Sequence, residues 1–260
     1  MPQSELIYID SRMQHDEKLI ATTFDKIWKQ TPEGELDLRD AMSIGIFEVL
    51  KKEIGSLSEK RILEAGSGTG RVSLCLAQSG AVVSLLDISW HALRLSRAIF
   101  CRGGKEAGYI RATIFQLPYG DAVFDVVWNA GVLEHFLFED QVLIMKELAR
   151  VTRPDGLIIT LNPSHFGKFY RLAKWLRERI GRWTFGRETP VKSFALVGKA
   201  AKLSLLREYD ALFEMQFDLY GPPGRLLRNL LTRMRRFNPL FLRMFGGYLR
   251  VSVLYRSPGG

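Results

Sequence analysis

Cysteine is nearly absent from this 260-residue chain: Cys75 and Cys101 stand alone, with no CxxC pair and no histidine at ligand spacing. That sets aside a disulfide framework and a zinc site, and it suits a reducing, cytoplasmic home. Long apolar runs are missing as well. The longest uncharged stretch, Val72 to Leu86, is interrupted by Gln78, Ser79 and Gly80 and falls short of the roughly 20 residues a membrane-spanning helix needs. Met1-Pro2-Gln3-Ser4-Glu5 has neither the basic residues nor the apolar stretch of a secretory leader. No repeat or low-complexity segment is present. Acidic residues become scarce late in the chain. Up to His165 there are 18 Lys and Arg against 22 Asp and Glu, and from Phe166 onward 19 against 6. This imbalance points the C-terminal third toward an anionic partner, a phosphorylated substrate, nucleic acid or lipid headgroup, or else toward a solvated basic surface.

What is present describes a globular protein. Hydrophobic residues make up 47% and charged residues 25%, and the length allows one large α/β domain or a domain with a cap. Residues 1–58 read as a helical N-terminal lid, with periodic segments from Asp16 to Lys29 and from Asp40 to Ile54 separated by a Thr31-Pro32-Glu33-Gly34 turn. Residues 59–165 alternate strand and helix. Strands are expected at Arg61–Glu64, Ala81–Asp87, Gly108–Phe115, Val123–Trp128 and Leu157–Leu161, with Ser89 as an N-cap and a turn at Arg153-Pro154-Asp155-Gly156. Five such units in about 100 residues predict a doubly wound, Rossmann-like parallel sheet. Residues 166–205 form a basic helical insertion with an apolar stripe of Phe166, Phe169, Ala173, Leu176 and Ile180. Residues 206–260 read as strand, helix, strand, with strands at Tyr209–Tyr220 and Tyr248–Tyr255 around a basic helix from Arg225 to Arg236.

The segment Glu64-Ala65-Gly66-Ser67-Gly68-Thr69-Gly70 carries the chemistry. A strand that runs into glycines and then into a helix brings free N–H groups close to a ligand. The dinucleotide fingerprint G-x-G-x-x-G needs glycine at position 71, where the chain has Arg71, and that disfavours a nicotinamide oxidoreductase. A carboxylate two residues ahead of the first glycine suits an amino-acid ammonium group instead.

These residues resemble motif I, [D/E]-x-G-x-G-x-G, of the class I S-adenosylmethionine-dependent methyltransferases. Asp87, 17 residues after Gly70, matches the acid that meets the ribose hydroxyls in that family. Leu117-Pro118-Tyr119-Gly120-Asp121-Ala122-Val123-Phe124-Asp125 is similar to the L-P-F-x-D-x-x-F-D stretch of its quinone and small-molecule (type 11-like) members. Asn129 to Phe136, with Leu133-Glu134-His135, and Arg150 to Gly156 are similar to the segments after strand four and before strand five. The resemblance covers about residues 60–165. It implies a seven-stranded sheet whose last strand pair is antiparallel, with S-adenosyl-L-methionine as cofactor. Glu64, Gly66, Ser67, Gly68, Gly70, Asp87, Ile88, Thr113, Ile114, Asn129 and Ala130 are the implied cofactor residues. The chain departs from the family at Ala112-Thr113-Ile114, where an aspartate normally reads the adenine amino group, and at Asp155 in place of a glycine.

His135 and His165 follow strands four and five at the carboxyl edge of the sheet, where ligands bind. His135 is the first candidate for a base and His165 the second, and packing is the competing expectation for each. Arg71 is placed to meet the cofactor carboxylate or an acidic neighbour, and Phe24 and Trp28 to close over the cofactor or simply to pack. Asn162-Pro163-Ser164-His165 only superficially resembles the N-P-P-Y motif of amino-methyltransferases. Phe169, Tyr170, Trp175, Trp183 and Phe185 among the late arginines fit a lipid-like substrate or an anionic membrane surface, hence possible peripheral membrane association. Nucleic acid fits less well. The expected activity is methyl transfer to O, N or C of a small or lipid-like acceptor. The alternatives are a non-catalytic cofactor-binding homologue and a nucleic-acid methyltransferase. No metal site is expected.

Overall fold

A computed structural model describes residues 15–32, 37, 38, 40–234 and 238–256. Glu33 and Gly34 of the expected first turn, Arg235 and Arg236 at the end of the expected basic helix, and residues 1–14 of the lid lie outside them. Helices α1 (His15–Lys29) and α2 (Ala41–Ile54) precede the first unit, β1 (Arg61–Ala65) and α3 (Arg71–Gln78). Then come β2 (Val82–Asp87), α4 (Trp90–Arg102), β3 (Gly108–Arg111), β4 (Phe124–Ala130), α5 (Phe138–Val151) and β5 (Thr152–Pro163). The chain continues through α6 (Lys168–Arg179), α7 (Ala195–Ala200), β6 (Leu203–Ala211), α8 (Pro222–Arg233) and α9 (Asn238–Phe245) to β7 (Leu249–Arg256).

The strands form one seven-stranded sheet in the order β3-β2-β1-β4-β5-β7-β6. β1 to β5 pair in parallel, and β7 runs antiparallel to both β5 and β6. Successive strand residues face opposite ways, so a strand covered on both faces is apolar throughout. Ile62, Leu85, Val126 and Ile159 accordingly belong to one core, while their neighbours Leu63, Leu86, Val127 and Ile158 belong to the other. The order reverses between β1 and β4, and a parallel sheet opens a crevice at the carboxyl ends of such strands. That crevice positions the site.

Local chemistry accounts for the helix starts. Asp40 caps α2 by accepting from the Met42 and Ser43 amides at 3.1 Å. Ser89 caps α4 by accepting from the Ala92 amide, as its side-chain type predicts. Three expectations are corrected. The turn at Arg153–Gly156 is a bulge inside β5: Phe124 pairs with Thr152 and Val126 with Leu157, so the intervening residues loop outward without breaking the strand. β3 ends at Arg111, because its neighbour β2 ends at the paired Asp87. Tyr209–Tyr220 is not one strand. β6 stops at Ala211, Leu212 takes φ +57°, and Phe213–Tyr220 is a 3-10 helix. An aromatic cluster explains the break: Phe213 and Phe217 pack on each other and on Phe169, with ring centroids 5.0–6.1 Å apart. In a strand, residues four apart share a face but lie about 13 Å from each other, too far for the rings to touch. No helix among the described residues is long and apolar enough to cross a membrane.

Candidate active site

The crevice holds a cavity of about 310 Å³, within the range of small-ligand pockets. Its floor is the turn between β1 and α3. The Gly66 and Ser67 amides donate to the Leu86 carbonyl at 2.8 and 2.9 Å, which ties the turn to β2. Gly66 sits at φ +84°, and a Cβ there would lie 2.6 Å from Val132 Cγ2. Gly68 sits at φ +51°, and its Cβ would meet the Trp28 ring at 3.1 Å. Both positions therefore demand glycine for conformation and for space.

Two acids face this floor. Glu64, the penultimate residue of β1, is buried, lines the cavity, and has a carboxylate oxygen, Oε2, with no hydrogen-bond partner. Burial, with the Asp87 carboxylate nearby, pushes its pKa well above the usual range. Asp87 ends β2. Its Oδ2 accepts from the Gly68 amide and its Oδ1 from the Ser89 amide, each at 2.8 Å. Burial outweighs these donors and raises its pKa to about 6. Ionised carboxylates without a nearby cation are costly in such a place. The pair is arranged to receive positive charge and hydroxyl donors.

The two helices ahead of the sheet reach the crevice. Phe24 and Trp28 of α1 and Met42, Ser43 and Ile46 of α2 line the cavity. α1 is tied to the Asp87 side of the site by Asp25, which accepts from the Ser89 hydroxyl at 2.6 Å and lies 3.0 Å from His91 Nδ1. Arg71 also lines the cavity. It meets an acidic neighbour, with Nη1 2.9 Å from Asp40 Oδ2 and Nε donating to the Thr69 hydroxyl. Which α2 residues line the cavity escaped sequence reasoning: Met42 and Ile46 share a periodic apolar face, and periodicity does not distinguish a core face from a ligand face.

The other sequence candidates divide. Gly66, Ser67, Gly68, Gly70, Ile88, Ile114 and Ala130 line the cavity. Thr113 is placed between the lining residues Ala112 and Ile114 without being one, and its hydroxyl accepts from the Phe115 amide at 3.2 Å. Asn129 is fully buried in β4 behind the wall, and both of its amide atoms lack partners. His165 is half-buried against Phe166, with ring centroids 5.6 Å apart, outside the cavity lining.

His135 does line the cavity. It ends a short 3-10 helix, Leu133–His135, beyond β4, and the Phe24 ring stands edge-on to it at 5.1 Å. Its Nδ1 lies 2.6 Å from the Arg187 carbonyl oxygen. A carbonyl only accepts, so Nδ1 carries the proton and Nε2 is left as the unprotonated nitrogen. Burial lowers the pKa of the ring and keeps it neutral. Behind it, burial raises the pKa values of the buried Glu134 and the half-buried Glu188, that of Glu188 to about 8. The Tyr170 hydroxyl donates to Glu188, and the Thr189 amide donates to the Glu134 carbonyl at 2.9 Å. The basic insertion thus reaches the site as a backing for His135; no residue beyond Phe136 is among the described cavity-lining residues.

Residues 63–160 match the family model for a methyltransferase domain. The chain is 26% identical over 214 residues to a ubiquinone biosynthesis O-methyltransferase of Bordetella avium, covering 79% of this chain and 87% of that one. An uncharacterised protein of Mycobacterium bovis is 33% identical over 118 residues, 45% of this chain and 42% of its own length. Among solved structures, the magnesium protoporphyrin IX methyltransferase of Synechocystis PCC 6803 superposes with a TM-score of 0.56 at 19% identity, covering 96% of this chain and 91% of that one. A geranyl diphosphate C-methyltransferase of Streptomyces coelicolor A3(2) gives 0.65 at 11% identity, covering 92% and 98%. These likenesses share the fold described above. Residues 63–160 thus carry a methyltransferase domain of the class I S-adenosylmethionine-dependent type.

Proposed function

We propose that the protein methylates an oxygen, nitrogen or carbon nucleophile of a small or lipid-like acceptor, with the β1–β4 crevice as its donor site. One observation carries the reading: the buried, unpartnered Glu64 oxygen shares a cavity with the glycine turn and with Asp87. The residues fit S-adenosylmethionine well. Glu64 takes the ammonium of the methionine moiety, and Asp87 accepts from the ribose hydroxyls with its remaining lone pairs. Gly66, Ser67, Gly68 and Gly70 let the backbone approach. Ile88, Ile114 and Ala130 flank the adenosine, with Thr113 and Asn129 supporting that wall from behind. When bound, the cofactor supplies an electrophilic methyl group on a sulfonium.

The protein's own share is alignment and proton handling. Phe24, Trp28 and Met42 exclude water over the cradle. The neutral His135 takes a proton at Nε2 from an acceptor O–H or N–H, while the Arg187 carbonyl holds Nδ1–H and stabilises the imidazolium that forms. The small acceptor named for the Streptomyces protein, geranyl diphosphate, agrees with a compact, largely apolar cavity. Calorimetry with S-adenosylhomocysteine tests the reading. Micromolar binding that weakens at least tenfold in Glu64→Gln is expected from loss of a charge-assisted pair; absence of binding at millimolar ligand would overturn it.

A further inference from the structure

Helix α8 is mounted with its apolar side outward. Its packed side is set by Gly224, where a Cβ would fall 2.0 Å from the Phe217 carbonyl oxygen, so the helix backbone presses on the 3-10 helix Phe213–Tyr220. Four residues on, Arg228 lies on the same side and forms a two-pronged ion pair with Asp218 at 2.8 and 3.0 Å. A helix advances 100° per residue, so Leu226 and Leu230 occupy the opposite side, with Leu227 and Met234 on its flank. Leu226 is 74% exposed and Leu230 54% exposed. Soluble helices do the reverse, turning the leucines in and the arginine out.

The neighbouring helices on the same support repeat the arrangement. α9 turns Phe241 and Phe245 inward onto Phe213 and leaves Leu240 56% exposed beside Met244. α6 is held to the 3-10 helix by Arg177, which donates to the Leu219 carbonyl, and to α9 by Lys168, which donates to the Met244 carbonyl. It exposes Leu172, Trp175, Leu176 and Ile180.

Charge selects the occupant. After Asp218 the chain has no acidic residue and eight arginines, and Arg225 and Arg233 are exposed beside the leucine ridge. A second copy would set one arginine-flanked ridge against another, which like charges oppose. Nucleic acid would meet the arginines but leave the leucines in water. A short helix with an apolar ridge, a basic flank and low overall hydrophobicity is the form that lies in a bilayer interface.

We propose that α8, which shares the Phe213–Tyr220 support with α9, docks this protein on an anionic lipid surface. Leu226, Leu227 and Leu230 enter the acyl boundary, and Arg225 and Arg233 meet headgroup phosphates. At 12 residues α8 is too short to span, so the association is peripheral. It does not depend on which acceptor is methylated.

Vesicle flotation of the full chain tests this. Wild type is expected to float with vesicles of equal parts phosphatidylcholine and phosphatidylglycerol, and to partition about tenfold or more less onto pure phosphatidylcholine. Leu226→Glu/Leu230→Glu is expected to lose at least tenfold of the anionic binding while keeping the wild-type Tm and affinity for S-adenosylhomocysteine, since neither residue lines the donor cavity. Either of two results overturns the proposal: no flotation on anionic vesicles, or flotation indifferent to the double substitution. A dimer by light scattering that becomes a monomer in the double variant also overturns it, by making the ridge a self-association surface. Ligand affinity read on the same samples keeps a failure of docking separate from a failure of the methyltransferase reading.

Discussion

Asp87→Asn separates what Asp87 does for the ligand from what it costs the empty protein. Burial lifts the carboxyl from 3.8 to about 6. The folded-state value therefore lies above the unfolded one. The stabilising contribution of the protonated form is complete below pH about 3.8 and is lost as the pH rises to about 6. At pH 7.5 the ionised side chain costs about 3 kcal/mol of folding free energy, two pKa units at about 1.4 kcal/mol each. Asparagine removes that cost. It keeps one acceptor for the Gly68 and Ser89 amides and turns an NH₂ toward the other, a mismatch of about 1–3 kcal/mol. The apo variant is thus expected to be as stable as wild type or up to about 2 kcal/mol more so, a Tm higher by about 0–8 °C at 2–4 °C per kcal/mol for a chain of this size. Binding moves the other way. Two hydrogen bonds from ribose hydroxyls to an ionised acceptor are worth about 1.5 kcal/mol each at the low end, so affinity falls about 100-fold. Scanning fluorimetry with S-adenosylhomocysteine at 100 times the wild-type Kd then shows wild type stabilised by about 2.7 kcal/mol and the variant by about 0.4 kcal/mol. Wild-type affinity is also expected to rise between pH 5 and 7, because ribose donors favour the ionised carboxylate, and the variant should lack that rise. An apo Tm lowered by more than about 5 °C with the ligand shift intact refutes the reasoning and makes Asp87 a purely structural acid.

Other substitutions probe other parts of the site. Gly68→Ala places a Cβ at φ +51° against Trp28 and is expected to cost about 1–2 kcal/mol of stability and at least tenfold in ligand affinity, read by melting and calorimetry. His135→Gln should leave S-adenosylhomocysteine affinity within about twofold but lower labelled-methyl transfer into a small-molecule extract by about 10²–10⁴-fold; an unchanged rate assigns His135 to packing alone. Arg150 binds the Tyr119 and Leu117 carbonyls and both carboxylate oxygens of Glu147. Arg150→Lys loses the planar fork and is expected to destabilise by about 2–3 kcal/mol in urea titrations, with ligand affinity preserved.

The proposed donor site is written locally in the sequence. Glu64, three glycines and Asp87 lie within 24 residues, and the strand ends that hold them are short apolar runs whose period and flanking glycines are visible without coordinates. The same holds for the Ser89 cap and for the five parallel units. Legibility fails where a feature depends on residues distant in the chain. The tautomer of His135 is decided by a carbonyl 52 residues later, and the strand expected at Tyr209–Tyr220 gives way at Leu212 to aromatic packing with Phe169 and Phe241. Trp28 lies over Gly68 because α1 anchors through Asp25 to the β2–α4 turn. A periodic stripe shows that Leu226 and Leu230 share a face of a helix, but not whether that face looks inward. Gly224 and Arg228 settle it by pressing the other side against Phe213–Tyr220. Short-range spacing and backbone preference thus determined the glycine turn and its two acids, whereas the setting of His135, the packing of α1 over the crevice and the outward ridge were decided only by burial, because burial is a property of the assembled chain.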